Sequence, residues 1–263
     1  IKLWTKSSIL FKLVLFLFIL YILNEIYKAS SNKKEGFNNK ILNSSYKIYS
    51  GDEVYNKFYA GVYDNIMHNN DRMKLETKTI LKYPITYGKL LDIGSGTGHL
   101  VNLLKTNIDC LGVDNSKHMV LRSKFNYPKN KYIHTDVSDS MIFLPNQFTH
   151  ITCLYYTIYY IKNKEEFFYN CNKWLVPKGY LFIHLVNKNK FMNENTKSRQ
   201  IKNYKYDLNF QDSSDSQECN FEEVFNDKLT GNVIKNKHNL YMNSQKEILT
   251  IAKKAKFDLV EIV

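Results

Sequence analysis

Leu90-Leu91-Asp92-Ile93-Gly94-Ser95-Gly96-Thr97-Gly98 decides how the rest of this chain is read. A short apolar run ends in a carboxylate and breaks into three glycines at alternate positions. It resumes as His99-Leu100-Val101-Asn102-Leu103-Leu104, with its apolar residues on one helical face. The pattern is strand, tight turn, helix. Glycines at such a turn accept φ > 0 and let a ligand lie directly against peptide groups, while a helix start offers unpaired N–H donors. A nucleotide-like ligand is the expectation. The spacing narrows it, because the dinucleotide fingerprint is G-x-G-x-x-G; here the third glycine comes one residue early and His99 stands where the last should be.

Downstream, Ile108-Asp109-Cys110-Leu111-Gly112-Val113-Asp114 reads as a second strand ending in an acid, with Asn115-Ser116 placed to cap the next helix. Lys131-Tyr132-Ile133-His134-Thr135-Asp136 reads as a third strand, again closing on an acid. Acids at the carboxyl ends of successive strands converge on one crevice of an open α/β sheet. Phe148 to Tyr156 is a fourth strand. Phe167, Phe168, Cys171, Trp174 and Leu175 then mark a helix with one buried face, which Val176-Pro177-Lys178-Gly179 ends as a turn into the strand Tyr180 to Val186.

An acid followed by G-x-G-x-G, the second- and third-strand acids, and the helix, Pro-Lys-Gly turn and strand together resemble the class I S-adenosylmethionine-dependent methyltransferases, over roughly residues 50 to 263. The resemblance implies an α/β fold with a Rossmann-like, doubly wound and mostly parallel sheet, and S-adenosyl-L-methionine as cofactor. It implies a cofactor site made of Asp92, Gly94, Ser95, Gly96, Gly98, Asp114, Asn115, Met119, Asp136, Val137 and Leu154. In that family the Asp114 position holds the ribose, Met119 lies beside the adenine, and Asp136 with the N–H of Val137 meets the adenine edge. The Asn/Asp-Pro-Pro-aromatic turn of the branch acting on DNA bases and glutamine amides is replaced by Leu154-Tyr155-Tyr156-Thr157, which argues against that branch. A small-molecule acceptor methylated at N, O or C is expected. A nicotinamide-dependent oxidoreductase is the rival reading, and a membrane-tethered binder without catalysis is a third.

The acceptor side is less specified. Aromatics at 55, 58, 59 and 63 fall near helical spacing and resemble the segment that covers the cofactor pocket in small-molecule methyltransferases, which makes Tyr59 a candidate. Tyr155, Tyr156 and His184 lie at or near strand ends facing the crevice. Residues 187 to 242 follow the fifth strand and are expected to cover the crevice. Phe221 to Phe225 and Ile234 to Met242 read as strands flanking Thr230-Gly231-Asn232, carrying His238 and Tyr241 as candidates. A capping box at Ser244-x-x-Glu247 opens a helix, and Phe257 to Val263 reads as a final strand. The family fold ordinarily adds one more strand, so the sheet is expected to lack its last one, with the chain, which starts at Ile1, truncated.

At the other end, residues 9 to 23 are apolar except Lys12, and read as an uncleaved membrane anchor within residues 1 to 29, with the catalytic domain on the cytosolic side. Residues 30 to 48 read as a linker and 49 to 263 as the folded domain. The net charge is +12, yet arginine occurs only at 72, 122 and 199 and no dense basic cluster stands out, so nucleic acid is a disfavoured partner. Cys110, Cys153, Cys171 and Cys219 form no C-x-x-C pair, which points to no zinc or other metal site and to free thiols.

Overall fold

The computed structural model describes residues 20–25, 44–84, 86–187, 198–211 and 218–263. In chain order it begins with β1 (Tyr46–Ser50), a 3-10 turn over Gly51–Tyr55, α1 (Lys57–Met67), α2 (Asn70–Leu81), β2 (Lys89–Ile93) and α3 (His99–Leu104). Then come β3 (Asp109–Asp114), α4 (Lys117–Asn126), β4 (Lys131–His134), β5 (Phe148–Cys153), α5 (Thr157–Tyr160), α6 (Lys164–Trp174) and β6 (Leu175–Ile183). The second half of the fold is β7 (Ser198–Ile201), β8 (Tyr204–Gln211), β9 (Glu218–Asp227), β10 (Val233–Tyr241) and α7 (Gln245–Lys254).

Five of these strands make a sheet in the order β4-β3-β2-β5-β6, every neighbouring pair parallel. Strands buried on both faces read as continuous apolar runs, and alternate residues of β2 show why. Leu91 and Ile93 pack in the core that holds Phe167, Phe168, Cys171 and Trp174 of α6, whereas Leu90 packs with Leu100, Val101 and Leu104 of α3 on the opposite face. Helices therefore cover both sides, which is the doubly wound α/β arrangement expected. All four cysteines are buried free thiols.

The remaining strands form a second sheet, β1-β10-β9-β8-β7, antiparallel except for the parallel pair β1 with β10. The hairpin expected around Thr230-Gly231-Asn232 is present as β9 and β10, and Asp227 organises its turn by accepting from the Leu229 N–H and the Thr230 hydroxyl. The linker expected over residues 30 to 48 ends sooner, because Tyr46–Ser50 is a strand of this sheet, anchored by Val233 N–H to Ser45 O and Ser45 N–H to Asn232 Oδ1.

Three further expectations are corrected. The Pro177-Lys178-Gly179 turn is a bulge inside β6, where Lys178 takes φ 61° and the pairing with β5 shifts register between Phe148 and His150. Phe257 to Val263 forms no strand; the segment is held by side chains, with Glu261 accepting from Lys82 Nζ at 2.6 Å and from the Tyr83 hydroxyl. β4 stops at His134, two residues before Asp136. Of the expected anchor, residues 9–19 lie outside the described residues and residues 20–25 are helical and exposed; among the described residues no helix is long and apolar enough to cross a membrane.

Candidate functional site

The carboxyl ends of β2, β3 and β4 open into a cavity of about 890 Å³, and the second sheet closes its far side. Gly94, Gly96, Asp114, Asn115, Met119, Asp136 and Val137, all expected to hold the cofactor, line it. Gly96 takes φ 53°, and a Cβ placed there would have as its nearest contact the Tyr63 ring at 3.6 Å on the cavity side. The turn thus brings bare backbone to the cavity, which is the use of glycine in such a position.

Asp114 is fixed rather than free to swing. Its Oδ2 accepts from the Gly96 N–H at 2.9 Å and its Oδ1 from the Ser116 N–H at 2.8 Å. A carboxylate has about four acceptor sites, so each oxygen keeps one for a ligand hydroxyl. Burial raises the pKa of Asp114, against the pull of those two backbone bonds. Ser116 also caps α4, accepting from the Met119 N–H at 3.2 Å, and that cap sets buried Met119 beside the cavity. Asp136 is exposed, and its Oδ1 accepts from the Ser138 N–H at 2.9 Å. A carboxylate pair of acceptors at one end, bare glycine backbone beside it and a methionine wall fit an adenosine with its ribose diol.

Four expected cofactor residues stand behind the turn instead of on the cavity wall. Asp92 points into the sheet, where Thr152 donates to its Oδ1 at 2.7 Å; burial pushes its pKa up to about 7, with that bond opposing. Ser95 and Leu154 join it around a small pocket under the turn, and Gly98 lies beneath Tyr132, whose hydroxyl donates to the Gly98 carbonyl at 3.0 Å. These residues shape the turn. The reason is its register: Asp92 is paired with Thr152 of β5 within the sheet and, by strand alternation, projects from the same face as Leu90 instead of from the strand tip.

On the acceptor side Tyr59, Tyr155, Tyr156, His238 and Tyr241 line the cavity. His184 does not. Its Nδ1 accepts from the Tyr155 N–H at 2.9 Å and its Nε2 lies 3.5 Å from Glu76, while burial, followed by the charge of Arg72, lowers its pKa to about 4. A neutral, engaged imidazole outside the cavity is a support for the Tyr155 loop, which corrects its expected role.

The structure adds residues that spacing did not single out. Glu223 of β9 is 2% exposed and accepts from Tyr206 at 2.6 Å, His238 Nε2 at 2.8 Å, Tyr59 at 3.1 Å and Asn236 Nδ2 at 3.4 Å. His238 Nδ1 meets the Tyr160 hydroxyl at 2.8 Å, and Phe221 stacks on the imidazole at 4.1 Å between centroids. Burial alone would raise the Glu223 pKa, but its pairing with His238 and the hydrogen bonds from His238, Tyr206 and Tyr59 hold it below the ordinary value. Arg72 also reaches the wall, lying 4.0 Å over the Tyr155 ring. A signal for Glu223 was present: Cys219, Phe221, Glu223 and Phe225 occupy the inward phase of one strand, and a carboxylate in that phase needs buried partners.

Residues 91–183 match the family described as a methyltransferase domain. The fold is shared with an S-adenosylmethionine-dependent methyltransferase from Clostridium acetobutylicum ATCC 824, at TM-score 0.62 and 15% identity over 78% of this chain and 87% of that one. It is shared with the CcbJ methyltransferase from Streptomyces caelestis, at TM-score 0.67 and 15% identity over 80% and 90%. A third is CalS10, an amino pentose methyltransferase from Micromonospora echinaspora determined with S-adenosylmethionine bound, at TM-score 0.62 and 15% identity over 76% and 88%. No curated protein matches the sequence.

Proposed function

We propose that this chain, a methyltransferase whose methyl donor is S-adenosylmethionine, acts on a small molecule held between the glycine turn and the second sheet. The observation that carries the reading is Asp114, a carboxylate fixed at the tip of β3 with one acceptor site left on each oxygen, on the wall of a cavity deep enough for two ligands. The match of residues 91–183 to a methyltransferase domain supports this reading over the nicotinamide one.

Asp114 is the residue to hold the ribose diol, Met119 and Val137 to flank the base, and Gly94 and Gly96 to meet the amino-acid end. When bound, the donor supplies an electrophilic methyl group on a sulfonium. The work left to the protein is alignment of the acceptor at near-attack distance and exclusion of water. Residues 187 to 242 are read as the cover that does this, since β9 and β10 place Phe221, Glu223, His238 and Tyr241 on the cavity. The relatives include sugar and amino pentose methyltransferases, which supports a polar small molecule as the acceptor. The apolar run 9 to 23 is kept as a proposed membrane attachment on its length and on the absence of a clear cleavage site after it.

Calorimetry of the purified protein with S-adenosylmethionine and with NADH separates the readings. Binding of the first alone is expected, followed by transfer of a labelled methyl group to members of an amine and polyol panel. Binding of NADH in its place would overturn the proposal.

A further inference from the structure

The Glu223 cluster does more than hold the second sheet together. Its outer end is reached through the residues nearest the glycine turn: Thr157 packs against Gly94, and Tyr160 lies on the same short helix, α5. Tyr160 is hydrogen-bonded to Tyr55 and to His238 Nδ1. His238 in turn bridges to Glu223 through Nε2. The groups therefore form one hydrogen-bonded file along the cavity wall that ends at the buried carboxylate of Glu223.

We propose that Tyr160, His238 and Glu223 form a relay that takes the proton of the methyl acceptor, which is therefore an amine or a hydroxyl that arrives carrying a proton. This rests on the reading of the cavity as an S-adenosylmethionine site. In the step, the acceptor nitrogen or oxygen forms its bond to the methyl carbon while the carbon–sulfur bond breaks and leaves its electron pair on sulfur. The acceptor's X–H bond gives up its proton to the Tyr160 oxygen and keeps its pair on X. Tyr160 passes its own proton to His238 Nδ1, and the imidazolium stays paired with Glu223.

The surroundings suit the direction of transfer. Burial, the largest cause, raises Tyr55 and Tyr160 well above the ordinary tyrosine pKa, so both conduct a proton without resting as phenolates. Also facing the file are Tyr59 and Tyr63 from α1, Asp114 at the tip of β3, Tyr156 just before α5 and Tyr206 from β8, with Arg199 stacked over Tyr206 at 5.2 Å. The tyrosines are held protonated by burial, and Glu223, bonded to His238, is the carboxylate at the end of the file.

The test compares S-adenosylhomocysteine with sinefungin, in which a C–NH₃⁺ group replaces S⁺–CH₃ and sets an ammonium where the methyl group is transferred. Calorimetry at pH 8 is expected to show sinefungin binding at least tenfold more tightly to the wild-type chain. Tyr160→Phe, His238→Gln and Glu223→Gln should each cut that advantage at least fivefold and leave S-adenosylhomocysteine within threefold. A merely structural role would weaken both ligands alike, and that result, or an unchanged ratio in the three variants, overturns the relay. Tyr160→Phe keeps the ring packing, so it decides the matter where a variant in the buried pair fails to fold, as thermal melting will show. Wild-type protein that binds neither ligand would refute the cofactor reading instead.

Discussion

Glu76 and His184 face each other across 3.5 Å, and burial moves their pKa values apart, Glu76 up to about 7 and His184 down to about 4. Arg72, its Nε 3.6 Å from Glu76, opposes the first shift and reinforces the second. Near neutral pH the imidazole is therefore uncharged, and the carboxyl is divided between its two forms.

The first prediction follows from that carboxyl. The unfolded chain loses the Glu76 proton near the ordinary value of 4.5, whereas the folded chain keeps it up to about 7. Folding is thus favoured most below 4.5, and the contribution is lost as pH rises to about 7. Roughly 1–2 kcal/mol should be lost across that window once solvent screening of the partly buried carboxyl is allowed for. Glu76→Gln should be more stable than the parent at pH 8 by about that amount and show no such gain at pH 4. Urea unfolding of both proteins at the two pH values measures it. The same gap at both pH values would contradict the assignment.

Asp114→Ala should weaken S-adenosylmethionine binding roughly 10- to 150-fold, the loss of hydrogen bonds to a charged acceptor worth about 1.5–3 kcal/mol. Asp114→Asn keeps the shape and should lose less. Titration calorimetry with S-adenosylhomocysteine checks both, and parent-like binding by the alanine variant would remove Asp114 from the site.

Asp114 was legible in the sequence because what marks it is local: an apolar strand, an acid at its tip and a Ser cap two residues on. The parallel sheet was legible for the same reason, each strand carrying its own apolar run. The second sheet was only half legible. The β9–β10 hairpin announces itself through Thr230-Gly231-Asn232, but the pairing of Tyr46 with Val233 joins residues far apart in sequence, and no local pattern encodes it. The Glu223 network failed to appear for a related reason, since its donors come from α1, β8 and β10. At His184 and Asp92 the residue type was read correctly and the side-chain direction was not.

Gly94→Ala should destabilise the fold around the turn. The residue takes φ 69°, and an added Cβ would stand 2.5 Å from Thr157 Oγ1. The backbone cost is about 1 kcal/mol and the overlap adds about 1–3 kcal/mol. Thr157→Gly in the same chain should recover the overlap part and not the backbone part. Thermal melting of the single and double variants reads the two contributions separately, and a double variant no better than the single one would place the cost elsewhere.

The last prediction concerns where folding begins along the chain. Residues 46–50 form the parallel neighbour of β10, Ser45 is bonded to Asn232 and Val233, and Tyr49 packs with the cluster around Tyr59 and Phe225. Removing β1 leaves the N–H and C=O groups along one side of β10 unpaired, and an exposed, unpaired strand edge is a template for association. It also uncovers part of the cluster that holds α1 against the second sheet. A chain starting at residue 44 should therefore match the melting temperature of the full chain, whereas one starting at residue 51 should melt several degrees lower and associate as its concentration rises. Melting curves together with light scattering over a tenfold concentration range distinguish the two. Equal behaviour of the shortened chains would return residues 46–50 to the status of a linker and leave β10 as the natural edge of its sheet.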